Sequence, residues 1–375
     1  MTTTACVWAK TLNFPYGGGH RWVYINWALG LRACGVKVIW LESVNQTGAL
    51  EELQTALDSL RFHLGPYGLS NSIALCYSGH EPVPKELVDN CLSLADATES
   101  ELLVDLSYAG DEKVVQRFRR SALIDLDPGL TQIWMQNRVI KIAPHDFYFT
   151  IGETVSGNTV PEFGLKWIYL PPCIALERWP VTEADAKSPF TTVSHWWGRW
   201  QSIDGVTYEN SKRAGFLPYL ELPKLANRRF ELALNLDAES DKGERAMLQE
   251  HGWSVRNASE VASTPWGYQK YIQSARGEFS CAKPAYRRLQ TAWISDRTLS
   301  YLASGRPAVV EHTGSSRFLP DADGLFRFKS LAGALTALRE LEANYNQHSR
   351  AARALVEEFF DAKQAAARLL EHVLS

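Results

Sequence analysis

The sequence predicts an α/β protein made of two Rossmann-like, doubly wound domains. Short apolar runs alternate with helical patterns along most of the 375 residues, which is typical of parallel sheets covered by helices. A polar stretch with two prolines, residues 177–189, interrupts this alternation, and the same pattern then begins again. We therefore expect a first domain over 1–180, a second over 190–345 and a helical C-terminal segment over 346–375. The ligand edges of the two sheets are expected to face each other across a cleft.

The chain begins with a strand, a glycine turn, a helix and a second strand. Apolar runs at 5–10 and 36–41 predict the strands, and helical spacing between them is shown by Trp22, Ile25, Leu29 and Leu31. The turn reads "GGGH", which differs from the G-x-G-x-x-G signature of dinucleotide-binding proteins. Because glycine lets a ligand approach the backbone and helix N-termini attract anions, we expect a ligand beside this turn.

The remaining elements follow the same rhythm. In the first half, strands are predicted at 72–78, 101–107, 122–129, 147–153 and 166–174, and helices at 50–60, 85–94 and 112–121. In the second half, strands are predicted at 190–198, 228–236, 252–258, 277–283 and 306–312, and helices at 210–220, 241–251, 266–275 and 296–304. A helical tail over 331–374 is interrupted near 345–348.

Composition excludes several classes of protein. Hydrophobic residues make up 45% and charged residues 22%, as in a soluble globular enzyme and unlike a disordered chain. A net charge of −3 gives no general attraction to nucleic acid, so we expect no nucleic-acid partner. The sequence shows no secretory signal and no apolar run long enough to span a membrane, so the expected location is cytoplasmic. The basic stretch "QRFRRS" (116–121) is interpreted as a solvated helix face, with contact to an anionic acceptor or a membrane surface as the alternative.

One stretch of the second half has the features of an anion site. Ser295 is a suitable N-cap and Gly305 a suitable C′ glycine for a helix between them, and Lys283 precedes that helix with two arginines. Cations beside a helix N-terminus suit a diphosphate, which gains charge-assisted hydrogen bonds there. The carboxylate of Asp296 is placed to accept hydrogen bonds from ribose hydroxyls.

The segment "SDRTLSYLASGRPAVVEHTG" resembles the donor-binding segment of GT-B glycosyltransferases. The similarity is greatest to bacterial glycosyltransferases related to the spore-coat glycosyltransferase group. The opening "GGGHRWVYINWALGLRACGVKVIWLE" and the segments "LIDLDPG" and "HDFYFTIGE" fit the same group, so the resemblance covers roughly residues 7–314. Many relatives have a glutamate three residues after the arginine of the donor helix, where this chain has Ser300.

The resemblance implies transfer of a sugar from a nucleotide-activated donor to a hydroxyl or amine of a small-molecule or glycan acceptor. The first domain would bind the acceptor, the second the donor, and the final helix would cross back to the first domain. GT-B enzymes generally use neither a bound metal nor a cofactor, and the formal D-x-D triplet at 125–127 ends an apolar strand. The expected donor-binding residues are Gly18, Gly19, Arg199, Lys283, Ser295, Asp296, Arg297, Thr313 and Gly314.

His20 is the first candidate for the catalytic base. A neutral imidazole at the end of the glycine turn is suited to accept a proton from an acceptor hydroxyl near neutral pH. Asp127 is the second catalytic candidate and Glu153 a further rival, each at a predicted strand end on the acceptor side. In a retaining enzyme His20 would position a substrate instead, and His145 is interpreted as part of a turn.

Two other functions are compatible with the same predicted fold. A protein that binds a nucleotide sugar or glycan without turnover is favoured by the missing helix glutamate. A nucleotide-sugar 2-epimerase would also use two facing Rossmann-like domains.

Overall fold

The chain divides into two compact units. A computed structural model describes residues 3–44, 49–77, 83–88, 90–108, 110–155 and 160–374. The first unit comprises Met1–Ile151, Val160–Ala175 and Asp361–Ser375, and the second comprises Gly152–Thr159 and Leu176–Phe360. A short segment after residue 151 therefore belongs to the second unit although the chain on both sides of it belongs to the first.

The first unit is built on a seven-stranded parallel sheet. Its strands are β1 (Thr4–Ala9), β2 (Lys37–Val44), β3 (Ile73–Tyr77), β4 (Leu102–Asp105), β5 (Ser121–Asp125), β6 (Phe147–Thr150) and β7 (Trp167–Tyr169), in the order β3-β2-β1-β4-β5-β6-β7. The helices between them are α1 (Gly18–Ala33), α2 (Leu50–Leu64), α3 (Lys85–Val88), α4 (Leu94–Thr98), α5 (Glu112–Val115) and α6 (Leu130–Gln136). The central strands β1, β4 and β5 are almost wholly buried and apolar, because helices cover both faces of such a sheet.

The second unit contains a six-stranded parallel sheet and a separate hairpin. The strands are β8 (Phe190–His195), the hairpin strands β9 (Trp200–Ile203) and β10 (Val206–Glu209), β11 (Phe230–Asn235), β12 (Trp253–Asn257), β13 (Gly277–Ser280), β14 (Ala308–Glu311) and β15 (Leu325–Phe328). The sheet order is β12-β11-β8-β13-β14-β15. The helices are α7 (Lys212–Phe216), α8 (Leu222–Ala226), α9 (Lys242–Glu250), α10 (Ala258–Ala262), α11 (Pro265–Ser274), α12 (Pro284–Leu289), α13 (Asp296–Ala303), α14 (Leu331–Ala343) and α15 (Tyr345–Phe359).

Each unit has its own core. In the second unit the ring of Phe279, in the middle of the sheet, packs within 6 Å of the ring centroids of Phe230, Trp253 and Phe328. In the first unit a cluster around Trp8 includes residues of β2, β3 and β4 and of α5. Both alternating patterns predicted from the sequence therefore form doubly wound sheets.

The last helix, α16 (Ala362–Leu374), packs in the first unit although α14 and α15 belong to the second. The backbone N–H of Ala362 donates to the carbonyl of Ile174 at 3.0 Å. Gly30 of α1 lies so close to the start of α16 that a Cβ added there would stand 2.3 Å from the carbonyl oxygen of Ala362. The predicted C-terminal helix thus returns to the first unit and is held there by a close helix contact.

Several predicted elements differ in the structure. The basic helix predicted over 112–121 ends at Val115, and turns lead from there into β5. The stretch with Lys283, predicted as a polar loop, forms α12 because Pro284 is favoured at a first helical position. Of the helix predicted over 85–94, the structure shows only α3 at 85–88; residue 89 lies outside the described residues, 90–93 are not helical, and α4 begins at Leu94. Among the described residues, no helix is long and apolar enough to cross a membrane.

Replacing Gly30 with alanine is expected to lower the free energy of unfolding of the first unit by about 1–3 kcal/mol, since the backbone of Ala362 has to move. Gly65→Ala is the matched control in the same unit, because Gly65 has helical backbone angles and no atom within 4 Å of an added Cβ. Urea unfolding of both variants measures the difference. Equal stabilities would mean that α1 and α16 do not pack as described.

Candidate active site

The carboxyl ends of parallel strands are where open α/β sheets bind their ligands. In the second unit β13 and β14 end at Ser280 and Glu311. These strand ends and the residues that follow them, together with the starts of α7 and α13, line one pocket. Its wall includes the sequence-predicted residues Ser295, Arg297 and Thr313.

Two cations meet at the end of β13. The ammonium of Lys212, at the start of α7, donates to the Ser280 hydroxyl at 3.2 Å and also to the carbonyl of Cys281. The guanidinium of Arg297 donates to the same Ser280 hydroxyl at 2.7 Å. Both side chains line the pocket, so it concentrates positive charge at one point.

Burial, and then the neighbouring charge of Arg297, lowers the pKa of Lys212 to about 7. The cost of burying a charged ammonium is therefore fully present below about pH 7 and is relieved as the pH rises towards the ordinary value of 10.5. A bound anion would offset this cost, because it favours the charged form of the lysine.

A buried carboxylate holds Arg297 in place. Glu278 of β13 is fully buried, and its Oε1 accepts from Nε of Arg297 at 2.7 Å. A further guanidinium nitrogen of Arg297 donates to the carbonyl of Val193 at 3.1 Å. Arg297 thus ties α13 to β8 and β13 with three of its five N–H groups, and two N–H groups remain for other partners.

Glu311, at the end of β14, fixes the loop after β13. One of its carboxylate oxygens accepts from the backbone N–H of Ala282 at 2.8 Å, and the other accepts from the Tyr219 hydroxyl at 2.9 Å and from Arg287 at 3.2 Å. This places Lys283 beside His195, whose pKa is lowered by burial and by the charge of Lys283. Within the described part of the chain, the Lys283 ammonium forms no hydrogen bond or ion pair, so its charge is available to a ligand.

The N-terminus of α13 has the predicted cap. The Ser295 hydroxyl accepts from the backbone N–H of Arg297 at 3.3 Å, and Asp296 is the first residue of the helix. The predicted C′ glycine, Gly305, has a positive φ of 69°. Ser300, at the position of the relatives' glutamate, is buried and its hydroxyl bonds the carbonyl of Asp296.

Thr313 and Gly314 lie against the loop that leads into α13. The backbone N–H of Ala292 donates to the carbonyl of Thr313 at 2.9 Å. Gly314 has a φ of 133°, and an added Cβ would stand 2.5 Å from the carbonyl oxygen of Gln290. A side chain is therefore excluded at Gly314, which lets this loop approach the turn after β14.

Four predicted donor residues of the second unit are not among the residues that line this pocket: Arg199, Lys283, Asp296 and Gly314. Arg199 lies just before β9 with an exposed side chain, and its carbonyl accepts from the backbone N–H of Asn210. Gly18, Gly19, His20 and Asp127 all belong to the first unit.

The glycine turn of the first unit is anchored by Glu42. This fully buried carboxylate of β2 accepts from the backbone N–H groups of Thr11 (2.9 Å) and Leu12 (3.3 Å) and from the indole of Trp40 (2.9 Å). Burial raises the pKa of Glu42, although these hydrogen bonds oppose the rise. The contacts with Thr11 and Leu12 hold the start of the β1–α1 loop, so Glu42 fixes this connection, and the indole of Trp40 in β2 satisfies the carboxylate further.

His20 lies in the first turn of α1, after Gly18 and Gly19. Its Nε2 is 2.8 Å from the carbonyl oxygen of Lys10, and the ring packs edge-on against Phe14 and Tyr24. A carbonyl oxygen can only accept, so the neutral ring carries its proton on Nε2 and Nδ1 is the basic nitrogen.

The two carboxylates at the end of β5 have different surroundings. Asp125 is fully buried and accepts from the hydroxyls of Thr131 (2.6 Å) and Thr150 (2.8 Å) and from the backbone N–H of Asp127 (3.0 Å). Burial raises the pKa of Asp125 despite these bonds. Asp127 is half-buried at the carboxyl edge.

Glu153 and His145 are engaged elsewhere. Glu153 belongs to the second unit rather than the acceptor side, and it accepts from the Ser316 hydroxyl and from the backbone and side chain of Arg317. Burial raises the pKa of Glu153, but these bonds outweigh it and leave the pKa lowered. His145 is buried with its Nε2 3.4 Å from a carboxylate oxygen of Asp105.

Sequence reasoning missed the residues that organise the second site. Lys212 stands in "NSKRAG", which reads only as the start of a helix, and Glu278 and Glu311 stand in strands. A charged residue inside an apolar strand is the signal that could have found the two glutamates. Within the described ranges, no three His, Cys, Asp or Glu side chains are grouped so as to hold a metal ion.

Solved structures resemble the chain over nearly its whole length, whereas no protein-family model and no curated protein matches it. One is an alpha-glucosyltransferase in complex with UDP-glucose and DNA containing an abasic site, with a TM-score of 0.61, 9% identity and 99% of each chain covered. Another is Anabaena Alr3699/HepE in complex with UDP-glucose, with a TM-score of 0.57, 11% identity and coverage of 98% of this chain and 99% of that one. A third is AviGT4, a glycosyltransferase involved in Avilamycin A biosynthesis, with a TM-score of 0.51, 12% identity and coverage of 99% and 96%. The chain thus has the GT-B fold that the sequence resemblance implied, and the link to the spore-coat group stays a prediction.

Replacing Glu278 with glutamine is expected to lower the free energy of unfolding of the second unit by about 3 kcal/mol, because a buried guanidinium loses its partner. Glu221→Gln is the control, since Glu221 pairs with Lys224 with both side chains about half exposed, and such pairs contribute less than about 1 kcal/mol. Urea unfolding compares the two. A loss for Glu278→Gln no larger than that of the control would contradict the role assigned to Glu278.

Proposed function

We propose that this protein is a glycosyltransferase that transfers a sugar from a nucleoside diphosphate donor to an acceptor hydroxyl or amine. The observation that carries the proposal is a pair of cations, the buried Lys212 and the partly buried Arg297, on the Ser280 hydroxyl at the carboxyl edge of the second sheet. A site of this charge suits the diphosphate of a donor, which is also the group that leaves during transfer. Uracil is the first candidate for the nucleobase of the donor, because similar structures are described in complex with UDP or UDP-glucose.

Protein cations replace a metal ion in this proposal. Lys212, Arg297 and Lys283 would neutralise the diphosphate through charge-assisted hydrogen bonds, and the N-terminus of α13 adds backbone N–H groups. Because Arg297 is held by Glu278, its remaining N–H groups are already oriented before the donor binds. Asp296 at the helix start is the proposed ribose contact, with Thr313 in the pocket wall and Gly314 next to it in the chain. A contact between Arg199, which directly precedes the hairpin strand β9, and the donor stays a prediction.

In this proposal the first unit supplies the catalytic base, which takes the proton of the acceptor. The acceptor oxygen or nitrogen bonds to the anomeric carbon of the sugar while the bond from that carbon to the diphosphate breaks, and the electron pair leaves with the nucleoside diphosphate. Nδ1 of His20 takes the acceptor proton, since Nε2 is committed to the carbonyl of Lys10. Asp127 is the alternative base at the end of β5, and Gly18 and Gly19 leave room for a substrate beside His20.

The affinity for UDP in EDTA-containing buffer is expected to fall as the pH rises from about 7 to about 9, by up to about tenfold per pH unit. Lys212 titrates near pH 7 in the free protein, and the diphosphate binds its charged form, so binding takes up a proton in this window. Calorimetry in buffers of different ionisation enthalpy measures both the affinity and the proton uptake.

The variant Lys212→Met should bind UDP more weakly by about 1.5–3 kcal/mol at pH 7 and lose this pH dependence. Lys187→Met is the control, since Lys187 is an exposed lysine of the same unit that does not line the pocket. An unchanged UDP affinity in Lys212→Met would remove this lysine from the donor site. UDP binding that requires a divalent cation would contradict the metal-independent proposal.

His20→Ala is expected to lower turnover by on the order of a hundredfold or more, with UDP affinity unchanged, because the base is lost and the donor site is not. Turnover is measured as UDP release from UDP-glucose in the presence of a panel of acceptors. Asp127→Asn tests the rival base in the same assay. Turnover of His20→Ala within a few-fold of the parent would assign His20 to the structure of the turn.

A further inference from the structure

The hairpin of β9 and β10, which precedes α7 in the chain, carries an exposed tryptophan. Trp200 is 66% exposed, and in the described part of the chain its indole N–H has no hydrogen-bond partner and its ring no aromatic neighbour. The hairpin leaves the carboxyl end of β8 and leads directly into α7, whose first residue is Lys212. Trp200 therefore lies on the chain between β8 and α7, and the first residue of α7 lines the pocket.

The base of the hairpin is packed tightly against the start of α7. A Cβ added at Gly198 would stand 2.3 Å from the carbonyl oxygen of Asn210, so no side chain fits there. Asn210 is buried, and its side-chain carbonyl accepts from the backbone N–H of Ala285, two residues after Lys283. These contacts fix the position of the hairpin relative to both lysines of the donor site.

One face of the hairpin combines an aromatic ring with polar groups. In the antiparallel pairing Trp200 lies opposite Glu209, and Ser202 lies opposite Thr207. Directly opposed residues, and residues two apart, share a face of a sheet, so these four form one surface, the hairpin face. The hydroxyls of Ser202 and Thr207 are 2.6 Å apart, and Glu209 accepts from the Ser211 hydroxyl with one carboxylate oxygen.

We propose that the hairpin face binds a sugar residue of a carbohydrate acceptor, an inference that rests on the proposed function. A pyranose presents C–H groups on one side, which pack against the apolar indole of Trp200, and a rim of hydroxyls. Glu209, Ser202 and Thr207 supply the acceptors and donors that such hydroxyls need. A carboxylate on this surface disfavours an anionic membrane as the occupant, since the two repel each other.

Binding is tested by fluorine NMR of the fluorotryptophan-labelled full chain. Trp200→Phe identifies the Trp200 signal by its loss, and the protein is titrated first with UDP and then with neutral disaccharides: maltose, cellobiose, lactose and chitobiose. The Trp200 signal is expected to shift saturably with at least one disaccharide. The signal of Trp266, a partly exposed tryptophan on α11, serves as the matched control and should not follow that titration.

The kinetic test uses the disaccharide identified in this way as the acceptor. Trp200→Ala is expected to raise the acceptor KM about tenfold, with kcat and UDP affinity within about twofold of the parent, because only a stacking contact is lost. Trp200→Tyr should retain most of the acceptor affinity, and Trp266→Ala should behave as the parent. Glu209→Gln should raise the acceptor KM by a smaller factor.

Three results would overturn this inference. The first is a Trp200 signal that no disaccharide moves up to its solubility limit, and the second is an unchanged acceptor KM in Trp200→Ala. The third is a Trp200 signal that responds only to anionic vesicles or to protein concentration, which would assign the face to a membrane or to a second copy of the chain. If UDP binds and sugar transfer proceeds in any of these cases, the proposed function stands and the hairpin assignment alone fails. If UDP does not bind at all, both fail.

Discussion

Two cationic side chains donate to one serine hydroxyl at the carboxyl end of β13. The pocket of the second unit is built around these two hydrogen bonds. Lys212 and Arg297 both donate to Ser280, and Glu278 is the carboxylate that holds Arg297. Burial, and then the charge of Arg297, lowers the pKa of Lys212. Such an arrangement costs the free protein stability and favours any ligand that brings negative charge. Under the proposed function, the diphosphate of the donor would offset this cost.

Buried carboxylates at strand ends position the loops of both units. Glu42 holds the loop after β1, Asp125 the loop after β5 and Glu311 the loop after β13, and each does so by accepting backbone N–H groups. A carboxylate so engaged has its oxygen atoms satisfied by hydrogen bonds and serves to position the loop. The neighbouring His20 and Asp127 are half-buried and stay the candidates for the catalytic base.

The periodicity of the sequence was sufficient to predict the two sheets, but it was not sufficient to identify the residues of the candidate site. The β1–α1–β2 unit, the cap at Ser295 and the C′ glycine at Gly305 all depend on local signals, which act within a few residues and can be read directly. The pairing of Lys212 with Ser280 joins residues 68 positions apart, and no local pattern records it. The hairpin strands β9 and β10 and the last strand, β15, were not predicted from the sequence. Arg297 was placed correctly at the helix start, but its link to Glu278 follows from tertiary packing.

A crystal structure of the protein with UDP, grown in the presence of EDTA, tests the central claim most directly. We expect the diphosphate to lie within hydrogen-bond distance of the Lys212 ammonium and of a guanidinium nitrogen of Arg297. The Arg297–Glu278 pair should be intact, and no metal ion should lie between the phosphates. UDP bound with its diphosphate away from Ser280 and Lys212, or a protein that does not bind UDP or any other nucleoside diphosphate, would contradict it.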